Sequence, residues 1–155
     1  MPAARVDMSL RRKLAAEFLG TAGLLTVVVG SGIMGERLAG GNAAIALIGN
    51  SIATGAGLIF LIYGFANISG AHFNPAVTIT AAVNRDIVAR VGALYIAAQF
   101  AGAAVGVIVA NLMFELPAVN LSTKVRAGNG QFLGEFVATF GLIGVIAVFH
   151  GLIRN

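Results

Sequence analysis

Four apolar stretches, at approximately 14–34, 43–65, 91–114 and 131–153, decide what this chain can fold into. Crossing roughly 30 Å of hydrocarbon at 1.5 Å per residue takes about 20 residues, and each stretch is that long. The second and third hold no charged residue, while the first and fourth hold one each, Glu17 and Glu135. Composition agrees: residues of the set AVILMFWYC make up 58% of the chain and charged residues 10%, against roughly 45–50% and about 25% in soluble domains. Mean hydropathy is +0.92. The expectation is an all-α membrane protein.

The basic residues Arg11, Arg12 and Lys13 precede the first apolar run, as in a signal peptide, but the run reaches about Met34. An h-region of about 7–15 residues is shorter, so this reads as a retained first helix. The net charge of +4 comes from Lys and Arg dispersed at segment ends, with no basic patch of the kind that binds nucleic acid. Counting those residues in alternate connections sets the orientation. Arg5, Arg11, Arg12, Lys13, Arg85, Arg90 and Arg154 fall on the side of the N-terminus, and Arg37, Lys124 and Arg126 on the other. Seven against three predicts a cytoplasmic N-terminus and an external loop over 115–130, where Pro117 and Gly128-Asn129-Gly130 supply turn chemistry. Cysteine is absent, which excludes disulfides and thiolate metal sites.

Between the second and third spans lies HFNPAVT, residues 72–78. Asn74 suits an N-cap and Pro75 the first helical position, where its missing N–H would have had no partner anyway. A helix over 74–84 would be about 16 Å long, so it can enter a bilayer but not cross it. The preceding 66–73, ANISGAHF, reads as irregular backbone, tolerated at membrane depth only where it is buried or lines water. A helix N-terminus aimed inward brings about half a positive charge and unpaired N–H donors. Such an end opposes cations yet still offers hydrogen bonds to a neutral solute. The Asn74 amide adds a donor, and the carbonyls of Gly70, Ala71 and His72 add acceptors along the approach. The predicted chemistry is passage of neutral polar molecules, with no bond made or broken.

Small residues recur every four positions, at Gly49, Ala53 and Gly57 and at Ala98, Gly102, Gly106 and Ala110, a pattern that lets helix backbones approach closely in lipid. An internal repeat is also present. Shifting the chain by 118 lays AEFLGTAGLLTVVVG (16–30) over GEFVATFGLIGVIAV (134–148), pairing Glu17 with Glu135 and Phe18 with Phe136. Three crossings and one re-entrant segment between the copies make this an inverted repeat, a plan common in transporters and channels.

SGAHFNPAVT resembles the first signature loop of the aquaporin or major intrinsic protein family, and AAEFLGT and AAQFAGA (97–103) resemble its first- and third-helix motifs. The resemblance implies an aquaporin-like helical bundle: four transmembrane helices plus one re-entrant half-helix, with repeat 1 over about 10–114 and the start of repeat 2 over 131–155. It implies that Asn74, Pro75 and Ala76 are the first of the family's two Asn-Pro-Ala triplets, and that Glu17 and Glu135 brace re-entrant loops by accepting backbone hydrogen bonds. Gln99 is assigned to interhelical packing. Counting back twenty residues from Asn74 reaches Thr54, where water-specific members carry an aromatic. A small residue there implies a wider constriction, suited to glycerol, urea or metalloid acids, and GSGIMGE (30–36) resembles bacterial members linked to arsenic handling. The resemblance also implies a homo-oligomer, usually a tetramer, in a bacterial-type plasma membrane, with no cofactor.

His72 is expected to pack and hydrogen-bond at the cytoplasmic vestibule, although its unperturbed pKa near 6.5 keeps a pH gate as the alternative. His150 reads as an interfacial residue. No nucleophile, base and orienter stand together, which argues against an enzyme, and no metal site is expected. Departures from the family pattern are large: a second Asn-Pro-Ala, the outer arginine and the fifth-helix filter residue are missing from these 155 residues. The expectation is a truncated domain that cannot enclose a pore as a single copy, and the alternative is a half-channel that associates with other membrane subunits.

Overall fold

The computed structural model describes residues 8–120 and 127–154, with side chains as far as Val148. Five helices follow in order: α1 (Leu10–Leu38), α2 (Ala43–Ser69), α3 (Pro75–Val83), α4 (Ala89–Met113) and α5 (Asn129–Arg154). Four are long and apolar enough to cross a membrane, and no strand occurs among the described residues. The protein is an all-α, multi-pass membrane protein.

The first helix is the hub, packed on α2 along one face and on α4 along another. Its partners fix both directions. Along α2, Gly35 meets Ala46, Gly57 meets Val27 and Leu61 meets Gly23, so residue numbers run oppositely and the pair is antiparallel. Along α4, Gly102 meets Phe18 and Gly106 meets Ala22, an offset of 84 in each case, so this pair is parallel. Since α2 runs back to the end where α1 starts, and α4 starts again at that end, the segment joining them must return to the side it left. Helix direction alone therefore places both ends of this segment on one side of the bundle.

The contact between α1 and α4 is backbone against backbone. A Cβ on Gly102 would strike the Phe18 carbonyl oxygen, and one on Gly106 the Ala22 carbonyl oxygen. Close approach of this kind is what small-residue ridges permit in lipid, and on α4 the ridge Gly102, Gly106 and Ala110 is buried. On α2 only part of the expected ridge packs: Gly57 abuts Val27, whereas Gly49 faces open space. Polar bonds reinforce both seams. The Asn50 Nδ2 amide donates to the Val28 carbonyl at 2.7 Å and to Ser31 Oγ at 3.1 Å, and the Thr26 hydroxyl lies 3.2 Å from the Gly106 carbonyl. Each such bond adds roughly 0.6 kcal/mol on average within a bilayer.

At the far end, Arg37 donates to the Phe114 carbonyl at 2.7 Å and lies over the Phe114 ring at 5.4 Å, tying the C-terminus of α1 to that of α4. Asn42 caps α2 with its side-chain oxygen, accepting from the N–H groups of Ala44 and Ile45.

Helix limits differ from the sequence expectation at one place that matters. Residues 66–69 are helical, whereas the whole of 66–73 reads as irregular in sequence. The small and polar residues Ala66, Asn67 and Ser69 extend α2 until Gly70, at φ 92°, takes the left-handed C-cap position and returns its N–H to the Ala66 carbonyl. The irregular stretch is thereby only five residues long. Arg5, Lys124 and Arg126 lie outside the described residues.

Candidate functional site

Between the end of α2 and the start of α3 the backbone turns inside the bundle. Gly70, Ala71 and Phe73 all have positive φ, at 92°, 51° and 49°. For Ala71 and Phe73 that region costs roughly 1–2 kcal/mol each, so surrounding contacts must hold them there. Glycine at 70 avoids the cost. The Phe73 side chain is buried, its ring against Gly20 of α1 and edge-on to Phe65 of α2 at 5.9 Å.

The main contact is the carboxylate of Glu17, fully buried on α1. Its Oε1 accepts from the Ser69 hydroxyl at 2.6 Å and the His72 N–H at 3.0 Å, and its Oε2 from the Phe73 N–H at 2.9 Å and the Gln99 amide at 2.8 Å. An ionisable side chain buried in a membrane span is costly unless it is satisfied; four donors from three segments satisfy Glu17 here. The strained residues are the ones whose own or adjacent N–H groups point at Glu17. Gln99 donates a second time, to Thr78 Oγ1 at 2.9 Å. Thr78 in turn reaches the Asn74 carbonyl at 3.1 Å and lies 3.1 Å from His72 Nδ1. A hydroxyl has one proton; with that proton on the Asn74 carbonyl, His72 Nδ1 is the donor of the remaining bond. The His72 ring is half-buried, edge-on to Tyr95 at 5.4 Å, and the Tyr95 hydroxyl donates to the Ser69 carbonyl at 3.0 Å.

The half-helix α3 starts from this clamp. Asn74 is extended, at φ −149° and ψ 127°, and its Oδ1 accepts the Ala76 N–H at 2.8 Å, with Pro75 as the first helical residue. Its oxygen thus being used as a cap, the Asn74 NH2 group has no partner among the described residues, and neither does the Val77 N–H. The carbonyls of Gly70 and Ala71 likewise accept no hydrogen bond from described residues. Donors and acceptors therefore stand side by side on the turn. Depth follows from its contacts, since Gly20 and Gln99 each lie ten residues into their helices, about 15 Å from the ends. Nine-residue α3, about 13 Å long, runs back from that level along α4, where Gly92 accommodates Thr78 and Ala82.

A buried carboxylate holding a re-entrant turn that ends in an Asn-capped, proline-led half-helix is a specific arrangement, and the family comparison agrees with it. The model of the major intrinsic protein family matches residues 4–152. The chain belongs to that family. Among curated proteins, the aquaglyceroporin AqpS of Rhizobium meliloti is 47% identical over 140 residues, 90% of this chain and 60% of the relative. Aquaporin-B of Dictyostelium discoideum is 38% identical over 106 residues, 61% of this chain and 36% of the relative. Aquaporin NIP3-1 of Arabidopsis thaliana is 31% identical over 151 residues, 92% and 46% respectively. The chain thus spans about half the length of the curated relatives it matches.

Within this major intrinsic protein chain the other residues singled out in the sequence are placed as follows. Thr54 is half-buried on α2, one turn from Asn50 and from Gly57, both of which face α1, and its Oγ1 is enclosed without a hydrogen-bond partner. It therefore shares the α1-facing stripe. Glu135, the repeat partner of Glu17, is exposed on α5 and makes no hydrogen bond among the described residues. The difference lies in neighbours: Glu17 is enclosed by α2, the turn and α4, whereas α5 touches only α3 among the described helices. The His150 side chain lies outside the described ones. Ser69, Thr78 and Tyr95 carry the clamp with Glu17 and Gln99 but are not singled out by the sequence reading. Ser69 and Thr78 belong to the signature loop, and Tyr95 stands one turn before Gln99, which is the signal that finds them. Among the described residues no cluster of metal-ligating side chains occurs.

Proposed function

We propose that the chain contributes to a membrane channel for passive permeation of water and small neutral solutes of glycerol size, metalloid acids included. One observation carries this reading: the N-terminal end of α3, with the Asn74 amide and the Val77 N–H unused among the described residues, is held about ten residues into the spans α1 and α4, beside the unused carbonyls of Gly70 and Ala71. Helix-end donors present hydrogen bonds to a neutral solute and an unfavourable potential to a cation. At the Asn74-Pro75-Ala76 triplet the Asn74 NH2 group and the following Val77 N–H form the donor side of this passage, and the carbonyls of Gly70 and Ala71, leading to His72, its acceptor side. Thr54 is a small residue at the level where an aromatic would narrow a passage, which agrees with a passage wider than water alone needs, although its enclosed Oγ1 lies on the α1-facing stripe. The name of the Rhizobium relative, an aquaglyceroporin, supports the same solute class.

The distribution of Lys and Arg supports a cytoplasmic N-terminus in a bacterial-type plasma membrane, and assembly as a homo-oligomer belongs to the same proposal. So does the division into repeat 1 over about 10–114 and the start of repeat 2 over 131–155, in which Glu135 takes the bracing role of Glu17 for a second turn. Among the described residues Glu135 has no donor and α5 touches only α3, which favours a second reading, a non-conducting half that associates with other membrane subunits. Stopped-flow swelling of proteoliposomes holding the 155-residue chain separates the two. Glycerol and water flux above empty liposomes, lowered in Asn74→Asp, which keeps the capping oxygen and removes the NH2 donor, supports the channel; flux equal to empty liposomes supports the second reading.

A further inference from the structure

An apolar groove of about 350 Å3 opens between the N-terminal part of α1 and the C-terminal part of α2. Its floor is Ala15, Ala16 and Leu19 of α1, its wall Phe65 and Ile68 of α2, and Arg12 stands at its mouth. The four α1 positions fall on one helix face, at intervals of three, four and seven residues. From Arg12 to Leu19 the groove runs about 10 Å down the helix. The guanidinium of Arg12 is exposed, forms no ion pair among the described residues, and makes one long contact, 3.9 Å to the Met8 sulfur.

Charge and depth name the occupant. Arg12 sits just before the apolar run that starts at Leu14, at headgroup level, with Arg11 beside it. Neither wall supplies an acid: α2 contains no charged residue, and Glu17, the one acid of α1 on this half, is buried with both oxygens already accepting hydrogen bonds. A guanidinium without a carboxylate partner at the mouth of a hydrocarbon-lined slot matches a phosphate attached to an acyl chain. We propose that the groove binds an anionic phospholipid of the leaflet on the α1 N-terminal side, its phosphate on Arg12 and one acyl chain between Leu19 and Phe65. The far wall is not passive, since the Phe65 ring also rests on Phe73 of the re-entrant turn. A lipid chain in the groove thus lies one ring away from the clamp.

Native mass spectrometry of the delipidated full chain, titrated with phosphatidylglycerol or phosphatidylcholine of equal chain length, tests this. The expected preference for phosphatidylglycerol is about fivefold, the effect of one basic group close to a phosphate. Arg12→Gln removes that preference, while Arg90→Gln, an exposed arginine at the same end but outside the groove, keeps it. Ala15→Phe, which fills the floor, lowers binding of both lipids. Arg12 contacts nothing that the fold depends on, so helicity of Arg12→Gln is expected to match the parent. Equal binding of the two lipids by the parent chain, equal losses in Arg12→Gln and Arg90→Gln, or full competition by glycerol phosphate without acyl chains would overturn the proposal.

Discussion

Gln99 on α4 donates to Glu17 on α1 at 2.8 Å, joining residues 82 positions apart at the point where the chain turns between α2 and α3. The same carboxylate accepts two backbone N–H groups of that turn. One side chain therefore sets both the α1–α4 register and the path of the re-entrant segment.

Replacing Glu17 by Gln keeps the shape but places an NH2 group against donors. At least one of the His72 and Phe73 N–H groups loses its acceptor, at about 1–3 kcal/mol for each buried group left unsatisfied. Unfolding of Glu17→Gln in mixed micelles should show a loss in that range, with Glu135→Gln, exposed and without a hydrogen bond among the described residues, near zero.

The glycine ridge on α4 gives a contrast of the same kind. Gly106→Val drives a side chain into the Ala22 carbonyl and Leu25, so α1 and α4 must separate, at a cost typical of overpacking, about 1–3 kcal/mol. Gly141→Ala meets nothing within 4 Å and should be neutral or slightly stabilising through helix propensity. Fluorescence transfer between labels on the two helices reads the separation directly.

How far the sequence reveals this depends on whether a feature is local. The spans follow from hydropathy, and the start of α3 follows from Asn74 and Pro75, because capping and a fixed φ act within three residues. The four helical residues at the end of α2 were not legible: Asn67 and Ser69 are loop-formers in water, but inside a bundle the helix is the cheapest way to satisfy their backbone. The bond from Gln99 to Glu17 and on to Thr78 depends on helix registers that no local window contains. Glu135 shows the same limit from the other side. Its surrounding sequence repeats that of Glu17, yet an environment is built by neighbours, and α5 has different ones.

Asn74→Ala removes the oxygen that accepts the Ala76 N–H and should cost about 1 kcal/mol as a lost N-cap, while Asn74→Ser restores most of it. Thermal unfolding in detergent checks the order parent, serine variant, alanine variant.

Thr54 offers a test of its packing. Its enclosed, unpartnered Oγ1 means that Thr54→Val exchanges a buried orphan oxygen for a methyl group of equal size. Stability should be unchanged or raised by up to about 1 kcal/mol. A loss larger than that would mean the hydroxyl has a partner.

The most direct measurement uses the absence of cysteine, which makes single-cysteine spin labels clean. Power-saturation depth profiles in a bilayer, taken with labels stepped through 69–86, test the re-entrant path. Depth should rise from residue 84 to a maximum between 72 and 76, then fall towards the same membrane face at 69. Uniformly shallow labels across 70–84, or depths that pass through to the opposite face, would contradict it.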